Sequence, residues 1–229
     1  MIYYILNSNI TGLMLFCLAL GYFLAVTIAI TFHEFAHAFI AYKCGDDTAK
    51  LMGRMTLNPF AHFSGIGILC FLFVGFGWAK PVEVNPMKFH NYKKGNALVS
   101  LSGILTNLIL AFVFSGFYYL LCHFCGSDVT MYSNYLLVFL NYFLLFTFVV
   151  NLSLAIFNIL PIYPLDGFNF IATFLKYNNP FVQFMYKYGN ILLLILIITP
   201  VFDIFYDFVM TGFLDLFDLF WGLFLWKLD

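Results

Sequence analysis

Four continuous apolar stretches dominate the 229-residue sequence and limit the folds that it can adopt. They run over about residues 12–42, 97–124, 135–160 and 181–198. Each is long enough to cross roughly 30 Å of hydrocarbon at about 1.5 Å per helical residue, the last one only just. Because apolar and polar residues do not alternate in them, membrane helices fit these stretches and the strands of an outer-membrane barrel do not.

The composition agrees with a membrane protein. Apolar residues make up 63% of the chain and charged residues only 9%, whereas a soluble domain has about a quarter charged residues. A water-soluble globular protein and a disordered chain are therefore both excluded. The net charge of −1 gives no basic field for a phosphate backbone, so nucleic acid is excluded as a partner. The sequence predicts an all-α polytopic integral membrane protein that lies in a lipid bilayer.

The number of crossings depends on two weaker segments. Residues 65–78 form a glycine-punctuated apolar run of about fourteen residues, which is short for a span and favours a re-entrant segment. The tail after Pro200 carries four aspartates near one helical face and either spans or lies in the interface. We expect five to six membrane helices. The basic residues of the loops at 43–54 and 80–94 then share one side, which predicts that this side is cytoplasmic.

Two short segments between the first two long stretches alternate briefly between polar and apolar residues. They read GRMTLNP over 53–59 and AKPVEVNP over 79–86. They could form a small β-hairpin on the cytoplasmic side, and two irregular loops are the alternative. We expect one membrane-embedded domain over residues 1–229, with a core over 11–170 and C-terminal helices over 181–226.

The first apolar stretch contains the motif HEFAH. His33 and His37 lie four residues apart on one helical face, with Glu34 beside them. Two imidazoles at this spacing can bind one Zn²⁺ ion, and the adjacent carboxylate can act as a general base. A carboxylate inside an apolar helix is unfavourable by a few kcal/mol, so such residues are rarely without function. The motif predicts a zinc site, and a polar cluster between helices is the alternative.

A catalytic zinc ion needs a third protein ligand and an open position. His90 lies in a basic loop, and His123 falls at the opposite membrane face in this topology. Asp166 follows Pro161 and Pro164 in NILPIYPLDG, where the prolines must break the third long helix. It lies ten residues before Lys176, as His33 lies ten before Lys43, so the two residues can share one depth. Asp166 is the favoured third ligand, and a helix cap is the alternative.

Together, these motifs resemble the site-2 protease family of intramembrane zinc metalloproteases. The similarity covers roughly residues 27–167 and rests on HEFAH, GRMTLNPFAH, FGWAKPVEVNP and NILPIYPLDG, in that order. The chain is similar to the minimal members, which lack an attached PDZ or CBS domain. It departs from the family at Phe63 and Ser64, where Asp-Pro is common, and at Ile104, which stands in the proline position of the Ala-Gly-Pro-x-x-Asn stretch.

The resemblance implies the roles of the site residues. His33, His37 and Asp166 would bind one Zn²⁺ ion, and Glu34 would be the general base. Asn158 would lie near the scissile carbonyl, and His62 would line the site. The implied activity is endopeptidase cleavage of a membrane-spanning protein substrate by a multi-pass protein of the cell membrane, with its active site towards the cytoplasm.

Two other functions remain open at this stage. A membrane metal-ion transporter would also place His and Asp in the bilayer, but it would not need Glu34. A non-cleaving relative would bind membrane proteins without cutting them, although no ligand or base has been lost here. The sequence does not predict the natural substrate, the oligomeric state or a role for Cys122 and Cys125.

Overall fold

The computed structural model describes residues 12–65, 80–126 and 134–225. Within these ranges the regular secondary structure is helical, and no β-strand is present. In chain order the α-helices are α1 (Gly12–Lys43), α2 (Thr48–Leu51), α3 (Tyr92–Cys125), α4 (Tyr135–Asn158), α5 (Asp166–Phe174), α6 (Pro180–Ile198) and α7 (Pro200–Leu225). Short 3₁₀ helices occur at Pro59–Ala61 and Pro86–Lys88.

Five helices among the described residues are long and apolar enough to cross a membrane. They are α1, α3, α4, α6 and α7. The prediction of a multi-pass helical membrane protein is thereby confirmed, and the tail helix α7 has the length and composition of a span. The predicted re-entrant segment at 65–78 lies outside the described residues apart from Gly65.

The predicted β-hairpin is wrong for the part of the chain that the structure describes. Residues 53–58 form a turn and bends, Pro59 begins a 3₁₀ helix, and residues 80–85 are irregular. The amide N–H of Val82 donates to Glu34 Oε2 at 2.8 Å, and that of Asn85 donates to Asp46 Oδ2 at 2.6 Å. Because carboxylates take these two donors, they are not available for a hairpin ladder. The alternative of irregular loops describes these segments correctly.

Helices α1, α3 and α4 pack against one another and form the centre of the bundle. A Cβ atom on Gly21 of α1 would lie 3.1 Å from the backbone nitrogen of Phe143 in α4, so the two helices are in close contact there. The tail helix α7 packs on the outside of α3 and α4. Its Trp221 Nε1 donates to Ser115 Oγ at 2.9 Å.

Asparagine residues cap the N-termini of three of the long helices. Asn91, Asn134 and Asn179 precede α3, α4 and α6, and each accepts a hydrogen bond from an amide of the first turn. Asparagine is a favoured N-cap because its side chain satisfies a backbone donor that has no partner within the helix. These caps explain why α3 begins five residues before the apolar stretch at 97–124.

The chain breaks between α4 and α5 at the proline-rich segment. Helix α4 ends at Asn158, and α5 begins at Asp166. Pro161 and Pro164 cannot donate to a helical ladder, so the helix cannot continue through them. Gly167 lies directly against the end of α4, because a Cβ atom there would lie 2.2 Å from the Ile159 carbonyl oxygen. The break and this contact set the position of α5, which packs against α3.

We predict that Gly167→Ala destabilises the protein, because the added methyl group collides with backbone that cannot rotate away. Overpacking of this kind costs about 1–3 kcal/mol, which should appear as a lower Tm in thermal unfolding of the detergent-solubilised protein. Gly212→Ala is the matched control, since a Cβ atom at Gly212 of α7 meets nothing within 4 Å. An equal Tm for the two variants would contradict the close contact at Gly167.

Candidate metal centre and active site

The side chains of His33, His37 and Asp166 converge. The two Nε2 atoms lie 3.0 Å apart, and each is 3.2 Å from Asp166 Oδ2. Helix α1 supplies both imidazoles from successive turns of one face, and the first residue of α5 supplies the carboxylate. Residues that are more than 120 positions apart in sequence thus meet, as the sequence predicted.

The outer nitrogen of each imidazole has an oxygen partner. His33 Nδ1 lies 2.7 Å from Asn107 Oδ1, and His37 Nδ1 lies 2.8 Å from the Val99 carbonyl. The Val99 carbonyl can only accept, so His37 Nδ1 must carry the hydrogen. Asn107 Nδ2 donates to Asn151 Oδ1 at 3.0 Å, which leaves Asn107 Oδ1 as an acceptor and His33 Nδ1 as a donor. Both Nε2 atoms therefore present lone pairs to each other.

Three lone-pair-bearing atoms at about 3 Å separation repel one another unless a cation or a proton lies between them. Asp166 Oδ2 is buried, and no donor in the described ranges hydrogen-bonds to it. Two imidazole nitrogens and one carboxylate oxygen form a ligand set that zinc accepts. His33, His37 and Asp166 therefore form a group of side chains that could bind a zinc ion.

Two opposing effects act on the Asp166 carboxyl group. Burial raises its pKa, but the imidazoles of His37 and His33 lower it by more when a proton lies between them and the carboxylate, so the pKa lies well below its ordinary value. The carboxyl group is thus held in its ionised form opposite a positive charge. A metal ion that displaces the proton meets the deprotonated oxygen ligand that it requires.

Gly103 makes the approach of α3 to the imidazoles possible. A Cβ atom at this position would lie 2.4 Å from His33 Cε1 and 2.6 Å from His37 Nε2. Any side chain here would displace the rings. A residue without a side chain is thus required in α3 beside HEFAH.

The three side chains lie on the wall of a cavity of about 500 Å³. Glu34 lines the same cavity, is half-buried, and points one carboxylate oxygen at Val82 N. Asn158 also lines it, at the end of α4, with its Nδ2 donating to the Leu154 carbonyl of its own helix. The other lining residues come from residues 81–86, from the break before α5, and from α3, α5 and α6: Pro81, Val82, Val84, Pro86, Tyr92, Asn96, Val99, Ser100, Pro164, Asn169 and Tyr186.

His62 does not lie among the residues that line this cavity. Its side chain is fully buried, and its Nε2 is 2.8 Å from the Thr56 carbonyl, within the turn that follows α2. Its own carbonyl oxygen accepts from Lys80 N at 2.7 Å. The structure therefore brings five of the six predicted site residues to one cavity and places His62 beneath the loop beside it.

His90 and His123 both lie away from the group at His33. His90 is exposed and does not line the cavity. His123 lies twenty residues beyond Gly103 on α3, which corresponds to about 30 Å along the helix axis. Neither can join the group at His33.

Sequence reasoning missed the residues that support the ligands. Asn107 is the asparagine of SGILTN, and the departure at Ile104 weakened the case for assigning it a role. The signal was a fully buried asparagine in the middle of an apolar helix, and Asn151 of α4 is its equally buried partner. Amides at such positions are rare unless they satisfy another polar group.

Three curated proteins resemble the chain. Putative zinc metalloprotease YwhC of Bacillus subtilis is 40% identical over 190 residues, which are 80% of this chain and 83% of that protein. Putative zinc metalloprotease MJ0611 of Methanocaldococcus jannaschii is 33% identical over 162 residues, 69% of this chain and 70% of that protein. Putative zinc metalloprotease Rip2 of Mycolicibacterium smegmatis is 26% identical over 183 residues, 76% of this chain and 64% of that protein.

No protein-family model and no solved structure matches the chain. The relatives alone carry the assignment, and 40% identity over most of both chains is ample for it. Their names describe zinc metalloproteases, and the ligand set of His33, His37 and Asp166 fits a zinc ion. The chain therefore belongs to the site-2 protease family of intramembrane zinc metalloproteases.

Proposed function

We propose that this chain is a single-domain intramembrane endopeptidase that cleaves membrane-spanning proteins at a zinc site formed by His33, His37 and Asp166. One observation carries the proposal. Two imidazole lone pairs and a buried carboxylate oxygen lie within 3.2 Å of one another on a cavity wall that also holds Glu34. A ligand set that fits a cation, a carboxylate that can act as a base and room for a peptide therefore lie together.

The chain's own residues would divide the work of hydrolysis. Bound zinc would supply Lewis acidity, which activates water and polarises the peptide carbonyl. Glu34 would take the proton of the attacking water on its carboxylate and deliver it to the leaving amine nitrogen. Asn158, at the mouth of the helix break, would contact the peptide near the scissile bond. We assign His62 a supporting role below the adjoining loop.

The position of the cavity supports an active site that opens towards the cytoplasm. Tyr92, the first residue of α3, lines the cavity and precedes Lys93 and Lys94. Lys43 in the last turn of α1 lies at the same end of the bundle. The two helices are antiparallel, since His37 contacts Val99 whereas the earlier Ala29 contacts the later Asn107. Basic residues collect on the cytoplasmic side of short loops, so we place this end there.

The substrate must unwind before it can be cut. A helix keeps each carbonyl in a hydrogen bond to an amide four residues later, and a membrane offers no water to replace that bond. The cavity offers polar groups instead: the side chains of Asn96, Asn169 and Ser100 lie on its walls. An unwound segment could thus exchange its internal hydrogen bonds for contacts with the enzyme.

The first test compares wild type with Glu34→Gln and Asp166→Asn in proteoliposomes that contain a membrane-spanning substrate. We expect Glu34→Gln to keep its zinc and to lose cleavage by about 10²–10⁴-fold, because the general base is gone. Asp166→Asn should lose both zinc and cleavage. Zinc is measured by elemental analysis of the purified protein. Asp215→Asn, which changes an exposed carboxylate of α7 away from the cavity, is the control.

The two alternatives predict different results in the same vesicles. A metal-ion transporter would move zinc across the membrane, and its Glu34→Gln variant would still do so. A non-cleaving binder would retain the substrate intact with wild-type protein. Either result would overturn the protease proposal.

The second test concerns Asn107, whose Oδ1 accepts the hydrogen bond from His33 Nδ1. Asn107→Leu removes that acceptor at similar volume, and loss of such a supporting partner typically weakens metal affinity about 10–100-fold. We expect a loss of this size in zinc competition against a chelator. Asn141→Leu, at an equally buried asparagine of α4 that is not bonded to either imidazole, should change zinc affinity by less than about twofold.

The third test concerns the substrate. We expect a spanning peptide with an Asn-Gly pair at the depth of the site to be cut faster than the same peptide with Leu-Leu there, because the first helix unwinds more readily. Moving the pair to the far end of the span is the control and should abolish the gain. Equal rates for all three peptides, measured by product mass spectrometry, would show that unwinding does not limit cleavage.

A further inference from the structure

Residues 80–86, here called the strap, cross the cavity beside α1 and are held at three points. Lys80 N donates to the His62 carbonyl at 2.7 Å, and Val82 N donates to Glu34 Oε2 at 2.8 Å. Asn85 N donates to Asp46 Oδ2 at 2.6 Å. Backbone donors near the beginning, middle and end of the strap are therefore all engaged.

The strap presents alternate residues to the cavity. From Val82 onwards, Val82, Val84 and Pro86 are half-buried and line it, whereas Glu83 and Asn85 are exposed. Pro81, at the start of the strap, is exposed and also lines the cavity. This spacing is the period of an extended chain, although the segment has no ladder partner among the described residues. The strap is thus a wall of the active-site cavity, and its middle amide contacts the carboxylate of the proposed base.

The hydrogen bond from Val82 constrains Glu34. One carboxylate oxygen is engaged by the strap, so the other is left to face the cavity. A carboxylate on a flexible side chain loses rotational freedom when one oxygen is fixed by backbone. A general base must sit within hydrogen-bonding distance of the proton that it removes, so such fixing serves the reaction.

Asp46 is the anchor of the strap's far end. Its side chain is fully buried at the C-terminal side of α1, and its Oδ1 accepts hydrogen bonds from the backbone amide and the hydroxyl of Thr48. Oδ2 accepts from Asn85 N. Lys88 Nζ lies 4.0 Å from Asp46 Oδ1. A fully buried carboxylate is unfavourable unless donors surround it, and here one of those donors belongs to the strap.

We propose that Asp46 is a positioning residue for the proteolytic reaction: it holds the strap so that Val82 N fixes the carboxylate of Glu34. The proposal rests on the proposed function of Glu34 and adds a residue that lies outside the cavity. His62 has the matching task at the other end, where its carbonyl holds Lys80. Asp46 acts through the strap and touches neither the substrate nor the metal ligands.

The test replaces Asp46 by Asn, which keeps the shape but places an amide donor against either Asn85 N or the amide of Thr48. We expect kcat to fall about 10–100-fold, the size of effect that follows a misplacement of about 1 Å at a catalytic group. KM should stay within about twofold, and zinc content should not change. Asp47→Asn is the matched control, because the Asp47 carboxylate is exposed and pairs with the side chain of Lys88, outside the strap.

A second pair of variants keeps the proposal testable if Asp46→Asn does not fold. Asn85→Pro removes the N–H that Asp46 accepts, at an exposed position, whereas Asn85→Ala keeps it. We expect Asn85→Pro to reproduce the loss in kcat and Asn85→Ala to retain at least half of the wild-type value. Equal activity of these two variants would overturn the proposal.

Two readouts separate positioning from general destabilisation. In hydrogen exchange, the amides of residues 80–86 should exchange faster in Asp46→Asn while those of α1 keep their protection. In a double-mutant cycle, Val82→Pro and Asp46→Asn should combine to a loss no larger than that of Val82→Pro alone, since both act through one hydrogen bond. Additive losses, or an unchanged strap, would overturn the proposal.

Failure of the strap proposal and failure of the proposed function give different results. Strap exchange is measured without any substrate and does not depend on proteolysis. If wild type cleaves and Glu34→Gln does not, but Asp46→Asn retains full kcat, only the positioning role is wrong. If wild type cleaves nothing, the proposed function itself is wrong, and with it the role assigned to Asp46.

Discussion

Three atoms that all offer lone pairs meet inside an apolar bundle, and much of the structure serves to hold them there. The Nε2 atoms of His33 and His37 and the Oδ2 atom of Asp166 lie about 3 Å apart. Without a cation this arrangement is repulsive, and in low dielectric the repulsion is poorly screened. The surrounding chain must therefore resist separation of the three groups. Three features do this: the helix break that directs Asp166 inward, Gly103, and the hydrogen bonds from His33 to the Asn107 side chain and from Asn107 to Asn151.

The architecture was largely predictable because its cause is local in sequence. A run of about twenty apolar residues has few alternatives in a bilayer, since a helix satisfies its own backbone. The ends of the helices were harder, because polar caps such as Asn91 extend α3 beyond its apolar stretch. The strap was misjudged for a physical reason. Its alternation arises because one face lines a polar cavity, and the same alternation would arise from a hairpin.

The candidate site divides in the same way. The sequence alone predicts the HEFAH residues His33, Glu34 and His37, because helical spacing brings them together. It also predicts Asp166, because the prolines before that residue indicate a turn that faces inward. The sequence does not predict the roles of Asn107, Gly103 and Asp46, because each contacts a group that is more than ten residues away in sequence. Their partners are fixed by the packing of α1 against α3 and by the course of the strap, which no local pattern encodes.

The polarity of the cavity follows from the chemistry that it would have to support. A spanning helix that unwinds beside α1 exposes amides and carbonyls at a depth where lipid cannot hydrogen-bond to them. Each unsatisfied group would cost several kcal/mol, so cleavage inside the membrane requires that the enzyme itself supply partners. Asparagines on α3, α4 and α5 line the cavity together with the strap, which follows an extended course. The same polar wall that would admit water for hydrolysis would therefore also receive the backbone of an unwound substrate.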